Sequence, residues 1–320
     1  MISVVIPVHN EAESLSRLHE ELSQVLQPGT FGHYEILFID DGSRDPSWSM
    51  IRELCASDPN VVGIRFRRNF GKAAALTAGF QSATGDLVFT LDGDLQDDPA
   101  EIPRFLEKLG TDLDVVSGWK KRRYDPWHKV LPSRLFNWVV SRMTDCRLHD
   151  HNCGFKAYRR EVLDEVGIYG ELHRFIPVLA YARGFRVGEI EVNHRARKFG
   201  RSNYGVARFI KGLLDLLTVR FLTRFSQRPL HVLGTIGLMM ILLGGMGLIY
   251  LAIVWFHESI GDRPLLVYSA ALLGVGTQLV TMGILAELVT SYSIRASDTF
   301  SIAERVSTTR DPSPPPSSQP

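Results

Sequence analysis

Residues 87–99 read LVFTLDGDLQDDP, in which an apolar run is followed by two carboxylates one residue apart, Asp92 and Asp94. The apolar run, residues 87–91, predicts a buried β-strand. Because side chains alternate along extended backbone, we expect both carboxylates on the same side, with Gly93 allowing a ligand to approach the backbone. Such a pair suits a hard divalent cation that shares its ligands with phosphate oxygens. The competing interpretation is an ordinary Asp-Gly turn.

Strand-like and helix-like segments alternate upstream of this stretch. β-rich runs occupy residues 2–7, 35–39 and 61–66. Amphipathic or small-residue stretches between them predict helices over residues 12–26, 46–56 and 73–82. The alternation predicts an α/β domain with a mostly parallel sheet and helices on both faces. No Gly-x-Gly-x-x-Gly follows the first strand and no Walker loop occurs, which weighs against dinucleotide enzymes and P-loop NTPases.

Three polar segments follow predicted strands: Pro7–Glu11, Asp40–Asp41 and Asp92–Asp94. In open α/β sheets, ligands bind beyond the carboxyl ends of the strands. We therefore expect these segments to line one crevice.

Two long stretches near the end of the 320-residue chain are almost without charge. Residues 229–256 contain no Asp, Glu, Lys or Arg, and residues 265–294 contain only Glu287. Each exceeds the ~20 apolar residues that cross a bilayer. The sequence therefore predicts two transmembrane helices joined as a hairpin by a short loop, rather than buried helices of a soluble domain.

Basic residues flank the predicted hairpin on both sides. Arg220, Arg224 and Arg228 precede the first span, and Arg295 and Arg305 follow the second. By the positive-inside rule, both ends of the hairpin and the whole N-terminal domain are expected on the cytoplasmic side of the membrane.

The expected organisation has five parts. Residues 1–205 are expected to form the α/β domain. Residues 229–256 and 265–294 are expected to form the two membrane spans. Residues 206–228 mix apolar and basic side chains, which predicts amphipathic juxtamembrane helices in the membrane interface, with an ordinary packed helix as the alternative. Residues 298–320 are polar and proline-rich, which predicts a disordered cytoplasmic tail.

A basic cluster is interleaved with aromatic residues in the later part of the domain. Its cations are Lys120, Lys121, Arg122, Arg123, Lys129 and Arg134, and its aromatic residues are Trp119, Tyr124 and Trp127. Alone, the cluster fits a solvated face or a nucleic-acid patch. Beside two membrane spans, an anionic headgroup is the favoured target, so we expect no nucleic-acid partner.

Six motifs in order carry a family resemblance. They are VIPVHNE at 5–11, DDGS at 40–43, RNFGK at 68–72, DGDLQDDP at 92–99, NCGFK at 152–156 and HRARKFGRS at 194–202. With them the chain resembles the family 2 glycosyltransferases with a GT-A domain. Within that family, it looks like the polyprenyl-phosphate glycosyltransferases related to dolichyl-phosphate mannose synthase and bacterial undecaprenyl-phosphate glucosyltransferases.

The resemblance implies a GT-A, Rossmann-like catalytic domain, a nucleotide-sugar donor, and an undecaprenyl or dolichyl phosphate acceptor at the inner (plasma) membrane. It favours UDP-glucose, while GDP-mannose, UDP-GlcNAc and other UDP-sugars stay open. It also implies a Mg2+ or Mn2+ cofactor.

Donor-side residues are carried over by position. The resemblance implies that Pro7, His9, Glu11 and Asp41 line the nucleotide pocket, and that Asp92, Asp94 and Gln96 surround the metal and the diphosphate. Residue chemistry agrees, because Asp41 can accept hydrogen bonds from a base or ribose, and Arg68 and Lys72 can offset diphosphate charge. The structural alternatives are an Asx-turn for Asp40–Asp41 and a solvated basic edge for residues 65–72.

Acceptor-side residues follow in the same way. The resemblance implies that Lys129 and Ser133 bind the acceptor phosphate, and that Arg197, Arg201 and Ser202 lie on a mobile loop that closes over the donor. Asn203 departs from the Lys common among relatives. Two further residues complete the predicted site: Arg134 joins Lys129 in catalysis, and Asp150 shapes the sugar or acceptor pocket. The competing interpretation of residues 149–151 is a transition-metal site.

The predicted reaction is an inverting transfer in which the lipid phosphate oxygen attacks the anomeric carbon. A phosphate is already ionised at neutral pH, so no general base is needed, and catalysis rests on positioning and electrostatics. The alternatives are a processive polysaccharide synthase, whose Gln-x-x-Arg-Trp element is absent at residues 227–229, and a non-catalytic nucleotide-sugar-binding scaffold. Glycines in the spans permit close helix packing, and a homo-oligomer is expected, with tetramers of similar proteins as precedent.

Overall fold

The computed structural model describes residues 1–27, 32–121, 127–166, 172–195, 214–216, 218–219, 229–257 and 264–293, without the side chains of 127–132 and 290–293. The predicted boundaries near residues 205, 228 and 298, and the predicted tail, lie outside these ranges.

A seven-stranded sheet forms the centre of the domain. Its strands are β1 (Ile2–Val8), β2 (Tyr34–Asp40), β3 (Val61–Arg65), β4 (Leu87–Thr90), β5 (Val115–Trp119), β6 (Lys156–Arg159) and β7 (Val187–Glu191). Their order is β3-β2-β1-β4-β6-β5-β7. Strand β6 runs antiparallel to β4 and β5, while the other pairs in the sheet are parallel. The mostly parallel sheet predicted from the sequence is confirmed.

Helices cover both faces of the sheet. Those of the domain are α1 (Ala12–Val25), α2 (Ser47–Ser57), α3 (Lys72–Ser82), α4 (Ile102–Gly110), α5 (Trp127–Thr144), α6 (Arg160–Glu165) and α7 (Ile176–Ala182). Helices α1, α2 and α4 bury apolar side chains on one face, and α3 and α7 do so on the other. Both faces of β1 and β2 are thereby covered, which explains their continuous apolar sequence.

Small residues let α3 approach the sheet closely. A Cβ added at Gly79 would lie 2.2 Å from Val5 Cγ1. The start of α3 lies beside the end of β4, where Lys72 contacts Asp92.

The topology gathers the predicted polar segments. Strand β1 lies between β2 and β4 and is parallel to both, so their carboxyl ends share one edge of the sheet. The antiparallel β6 begins at that same edge, where Lys156 pairs with Thr90. The three predicted polar segments therefore lie along one edge of the sheet, and a crevice lined by all three stays a prediction.

Two long apolar helices form an antiparallel hairpin, α8 (Pro229–Trp255) and α9 (Pro264–Ser293). Both are long and apolar enough to cross a membrane. Most of their large side chains are exposed, such as Ile249 and Val267 at 64% and 68%, which is opposite to the core helix of a soluble protein. The two predicted spans are helical as expected.

The hairpin is closely packed at glycines. Added Cβ atoms at Gly237 and Gly276 would each lie 2.6 Å from the other residue's carbonyl oxygen, and one at Gly244 would lie 2.7 Å from that of Ser269. These glycines therefore serve the packing of α8 on α9.

Glu287, the carboxylate within the second predicted span, contacts the start of α8. Its Oε2 accepts a hydrogen bond from the Leu230 backbone N–H at 3.1 Å. The first N–H groups of a helix lack partners within the helix, and their partial positive charge favours an anion. Glu287 therefore caps α8.

The described part of the predicted juxtamembrane segment is helical at 214–216 and 218–219. Leu216 and Val219 are fully buried and pack with Phe136 and Phe175 of the domain, whereas Leu214 is exposed. One side of this segment is therefore an ordinary packed surface, and the membrane-interface position of the other side stays a prediction.

Candidate active site at the carboxyl edge of the sheet

The loops after β1 and β2 are joined by hydrogen bonds. The Asn10 backbone N–H donates to Ser43 Oγ at 3.0 Å, and the Arg44 N–H donates to Asn10 Oδ1 at 2.9 Å. His9 Nδ1 lies 3.0 Å from the Asp41 carbonyl oxygen. Asn10 has a φ of 58°, which Asn tolerates better than most residues. His9 is thus held at the end of β1, where the sequence predicts the nucleotide pocket.

Asp40 and Asp41 are both buried at the end of β2. Asp40 Oδ1 accepts from the Ser43 N–H at 2.9 Å, and Asp40 Oδ2 lies 3.3 Å from Arg65 Nε. Asp40 therefore stabilises its own turn, in keeping with the structural alternative.

Asp41 holds the loop that begins α3. Its two oxygens accept from the N–H groups of Phe70 and Gly71 at 2.6 and 2.9 Å. At Gly42, with a φ of 68°, a Cβ would lie 2.4 Å from the Arg68 carbonyl carbon. The Asp41 carboxylate thus positions residues 68–71, and its contact with a base or ribose stays a prediction.

A cleft of about 820 Å3 opens beside these loops. Its lining residues are His9, Asn10, Gly42, Ser43, Arg44, Arg65, Phe66, Arg67, Arg68 and Asn69. Four arginines give the cleft a positive potential suited to phosphate groups. The predicted nucleotide-side residues His9 and Arg68 both belong to it.

Asp92, which follows β4 at the same edge of the sheet, is paired with Lys72. The Lys72 ammonium donates a hydrogen bond to Asp92 Oδ1. Burial disfavours the ionised carboxylate, but the charges of Lys72 and Lys120 outweigh it and hold the pKa of Asp92 below its usual range. On the other side, a Cβ added at Gly154 would lie 2.7 Å from Asp92 Oδ2.

The rest of the motif folds back over the end of β1. A Cβ at Gly93 would lie 3.7 Å from the Pro7 carbonyl oxygen, and Ser14 Oγ donates to the Gly93 carbonyl at 2.6 Å. Asp94, buried, accepts from the Gln96 N–H at 3.2 Å through Oδ1. The Asp92–Gln96 segment therefore lies against the end of β1, and the metal-binding role of Asp92, Asp94 and Gln96 stays a prediction.

Residues 194–195 lie alongside Gln96 and hydrogen-bond to it. Gln96 Nε2 lies 3.4 Å from His194 Nε2, and the Arg195 N–H donates to the Gln96 carbonyl at 2.9 Å. The Arg195 guanidinium reaches both Glu21, at 2.6 Å, and Asp98, at 2.7 Å. Residues 194–195, which lead into the predicted acceptor loop, are thus fixed to the Asp92–Asp98 segment.

The donor set fits a hard divalent cation that also binds a substrate. Among the described residues, no three His, Cys, Asp or Glu side chains gather as a metal site. The predicted ligands are instead two carboxylates and the Gln96 amide, which supply the oxygen donors that Mg2+ and Mn2+ prefer. Mg2+ is commonly held by one or two carboxylates together with substrate phosphates.

Two lysines, Lys120 and Lys156, make contacts inside the domain that the sequence analysis did not predict. Lys120 pairs with Asp97 at 2.8 Å, and its side chain is 15% exposed, so this member of the predicted basic cluster is held by an ion pair within the domain, and the headgroup role of the cluster stays a prediction. Lys156 donates to the carbonyls of His151 and Cys153, and burial lowers its pKa to about 8. The local sequence does not distinguish these two lysines from lysines on the surface, because their partners are brought to them by the tertiary fold.

His173, before α7, is a third residue that the sequence analysis did not single out. Burial and then the charge of Lys72 lower its pKa to about 2, while the charge of Asp92 acts in the opposite direction. His173 is therefore a neutral group near the Lys72–Asp92 pair.

Predicted acceptor-side residues are only partly described. Helix α5 carries Lys129, whose side chain lies outside the described residues, with buried Ser133 and exposed Arg134. Arg197, Arg201 and Ser202 also lie outside them.

Asp150 is buried, and its Oδ1 accepts from the Asn152 N–H at 3.1 Å, so it shapes the turn before β6. The flanking histidines do not converge on a common metal position, because His149 pairs with Glu189 whereas His151 Nε2 lies 3.0 Å from Ser141 Oγ.

Comparison with known proteins decides the family. Residues 3–167 match the model for glycosyl transferase family 2. The chain is 38% identical to dodecaprenyl-phosphate galacturonate synthase from Rhizobium johnstonii, over 90% of this chain and 87% of that protein. This chain belongs to glycosyl transferase family 2. Within the family, it is a polyprenyl-phosphate glycosyltransferase.

Further relatives agree with this assignment. The transferase is 36% identical to the undecaprenyl-phosphate 4-deoxy-4-formamido-L-arabinose transferase of Pseudomonas fluorescens, over 89% of this chain and 83% of that one. The solved glucosyl-3-phosphoglycerate synthase from Mycobacterium tuberculosis, in complex with Mn2+, UDP and phosphoglyceric acid, has a TM-score of 0.55 at 17% identity, covering 70% of this chain and 78% of that one. That likeness confirms the GT-A-like fold. The relatives favour neither a processive synthase nor a non-catalytic scaffold.

Proposed function

We propose that this family 2 transferase moves one sugar from a nucleoside-diphosphate sugar to polyprenyl phosphate, with inversion at the anomeric carbon. The observation that carries the proposal is that Asp92 and Asp94 follow β4 at the same edge of the sheet as the loops that line the arginine-rich cleft, in a chain that also has two apolar helices. The two relatives are named for dodecaprenyl and undecaprenyl phosphate, which supports a lipid phosphate acceptor.

A divalent cation, Mg2+ or Mn2+, would be held by Asp92, Asp94 and Gln96. When bound, it supplies Lewis-acid stabilisation of the departing nucleoside diphosphate. The presence of Mn2+ and UDP in the solved synthase of the same fold supports this cofactor.

On the donor side, Pro7, His9, Glu11, Asp40 and Asp41 bind the nucleotide or shape its pocket. Arg68 and Lys72 lie where they can offset the charge of the diphosphate, because Arg68 lines the cleft and Lys72 contacts Asp92. These cations stabilise the charge that develops as the sugar leaves.

On the acceptor side, Lys129, Arg134 and Ser133 orient the lipid phosphate for attack. Asp150 shapes the acceptor or sugar pocket, and Arg197, Arg201 and Ser202 close over the donor. The phosphate is ionised at neutral pH, so the chain needs no general base. The protein instead holds the lipid phosphate in line with the anomeric carbon of the donor, although the two substrates are both anionic and repel each other.

We infer that the catalytic domain lies on the cytoplasmic face of the inner (plasma) membrane, with α8 and α9 crossing the membrane as a multi-pass hairpin. Helix α5 supports this placement. Leu135 and Trp138 are 54% and 66% exposed, next to exposed Arg134 and Arg142, and this combination is typical of a membrane interface. A homo-oligomer would bury more of the exposed hairpin surface.

UDP-glucose is the proposed donor, on the family resemblance. The names of the relatives add galacturonate and 4-deoxy-4-formamido-L-arabinose. Nucleotide sugars of a hexose, a uronic acid and a modified pentose therefore belong in one test panel.

Purified full-length protein is incubated with polyprenyl phosphate, Mg2+ or Mn2+ and each labelled donor in turn, and label is measured in the organic phase. We expect metal-dependent label from one donor and almost none with Asp94→Ala. Metal-dependent turnover by folded Asp94→Ala would contradict the site. Nucleotide binding without transfer from any donor would favour a scaffold.

The Lys129→Met variant tests the acceptor side. We expect it to raise the KM for polyprenyl phosphate about tenfold, the effect of one lost charged hydrogen bond, and to leave the Kd for UDP unchanged. An equal loss of both affinities would contradict an acceptor role.

A further inference from the structure

Lys72 occupies an electrostatically unfavourable position in its own helix. It is the first residue of α3, directly after Gly71 at a φ of 95°. A cation at a helix N-terminus is repelled by the partial positive charge of the free N–H groups. Its ammonium is instead held by Asp92, to whose Oδ1 it donates a hydrogen bond.

The other lysine near Asp92 has a different attachment. Lys120 is 15% exposed and is paired with the fully buried Asp97 at 2.8 Å. The side chains of Lys72 and Asp92 are 35% and 33% exposed. Because Lys72 is partly exposed and its four-carbon stem is flexible, its ammonium is able to change partners, whereas that of Lys120 is held on a buried carboxylate.

Lys72 contacts Oδ1 of Asp92, a carboxylate that is one of the three proposed ligands of the divalent cation. Two cations in contact with one carboxylate repel each other strongly outside bulk water. The second oxygen of Asp92 packs against Gly154, so the carboxylate cannot simply rotate away into that side. Metal binding to Asp92 thus competes with the Lys72 ammonium.

We propose that Lys72 is an exchangeable internal counter-ion, which keeps the centre stable without metal and moves to the donor diphosphate when the metal takes over Asp92. This inference rests on the proposed function. It makes the binding of metal and nucleoside diphosphate mutually dependent: each ligand removes a cost that the other would otherwise meet. Free metal alone binds weakly, and metal with nucleotide binds tightly.

The test measures Mn2+ binding to the full-length protein by electron paramagnetic resonance, with and without saturating UDP. Lys72→Met is compared with Lys108→Met, an exposed lysine on α4, and with Lys72→Arg, which keeps the cation. We expect Lys72→Met to bind free Mn2+ about tenfold more tightly than wild type, from the removal of one contacting like charge. UDP should then improve its Mn2+ affinity much less than in wild type. Lys108→Met and Lys72→Arg should behave as wild type within about twofold.

Two results would overturn the inference in distinguishable ways. If wild type binds Mn2+ with UDP but Lys72→Met has unchanged or weaker affinity for free Mn2+, then Lys72 is a fixed structural partner and the proposed function stands. If neither protein binds Mn2+ even with UDP, the metal assignment fails together with the counter-ion.

Discussion

The catalytic domain and the helical hairpin treat apolar and acidic side chains in opposite ways. In the domain, Asp41 and Asp94 are buried while leucines and valines fill the interior; in the hairpin, the large apolar residues face outward. Both regions nevertheless use a carboxylate to accept backbone N–H donors beside a helix, because Asp41 accepts from Phe70 and Gly71, just before α3, and Glu287 accepts from Leu230, in the first turn of α8. In each region the carboxylate thus satisfies backbone N–H groups at or just before the start of a helix.

Low pH should destabilise the domain more than the hairpin, because the domain buries titratable groups. Burial, and then the charge of Lys156, lowers the pKa of His151 from 6.5 to about 4. Ser141 Oγ donates to the Leu148 carbonyl, so His151 Nε2 must carry the proton in their contact. Among the described residues, Nδ1 has no hydrogen-bond partner.

Between pH 6.5 and about 4, His151 therefore binds a proton in the unfolded chain but stays neutral in the folded domain. Stability should fall as pH drops from about 6.5 to about 4, by about 3 kcal/mol at about 1.4 kcal/mol per pKa unit. Unfolding is followed by tryptophan fluorescence at several pH values, with His151→Gln as the comparison. A His151→Gln profile as steep as that of wild type would contradict this cause.

Gly154→Ala should damage chemistry more than folding. The new Cβ would lie 2.7 Å from Asp92 Oδ2, and the carboxylate can move, but only out of its catalytic position. We expect transfer to fall about a hundredfold, the usual cost of a misplacement of about 1 Å, with little change in melting temperature. Gly110→Ala, where nothing lies within 4 Å, is the control. Wild-type activity in Gly154→Ala would show that the position of Asp92 is unimportant.

Gly42→Ala should damage folding of the domain and leave the hairpin intact. It combines a left-handed φ with a Cβ 2.4 Å from the Arg68 carbonyl carbon, whereas Gly32, at φ 77°, has nothing within 4 Å. We expect Gly42→Ala to lower the free energy of unfolding by about 2 kcal/mol more than Gly32→Ala. Both substitutions force an alanine into a left-handed backbone conformation, but only the one at Gly42 also causes a clash with backbone atoms. Equal losses in thermal unfolding would exclude the contact as the cause.

Glu287→Leu should give the smallest effect, confined to the hairpin. Loss of the cap on Leu230 should lower hairpin stability by about 1 kcal/mol, measured by circular dichroism in detergent. Glu287→Gln should lose less, because its amide oxygen can still accept the hydrogen bond. A stability gain in Glu287→Leu would mean that the burial of the carboxylate costs more than its cap contributes.

The parts that the sequence predicts well are those set by local pattern. Periodicity gives α1 to within one residue of its observed end at Val25, and the absence of charge gives α8 and α9. The polar ends of β1, β2 and β4 could be placed together because parallel strands impose it.

The parts that the sequence misses depend on contacts between distant residues. The hydrogen bonds from N–H groups about thirty residues later in the chain to the Asp41 carboxylate have no local signal, while its predicted ligand contact stays a prediction. The ion pair between Lys120 and the buried Asp97 has no local signal either. The antiparallel β6 and the proximity of His173 to Asp92 likewise have no local signal, since only the assembled sheet creates them.

The most direct test of the central claim is the stoichiometry of one reaction. Nucleoside diphosphate released and sugar attached to polyprenyl phosphate are both quantified, the latter by mass spectrometry, with the full-length protein, the active donor and metal. The account predicts one diphosphate released for each lipid that gains a single sugar, and neither product without metal or lipid. Chains of several sugars on one lipid, or diphosphate release without glycolipid, would contradict it.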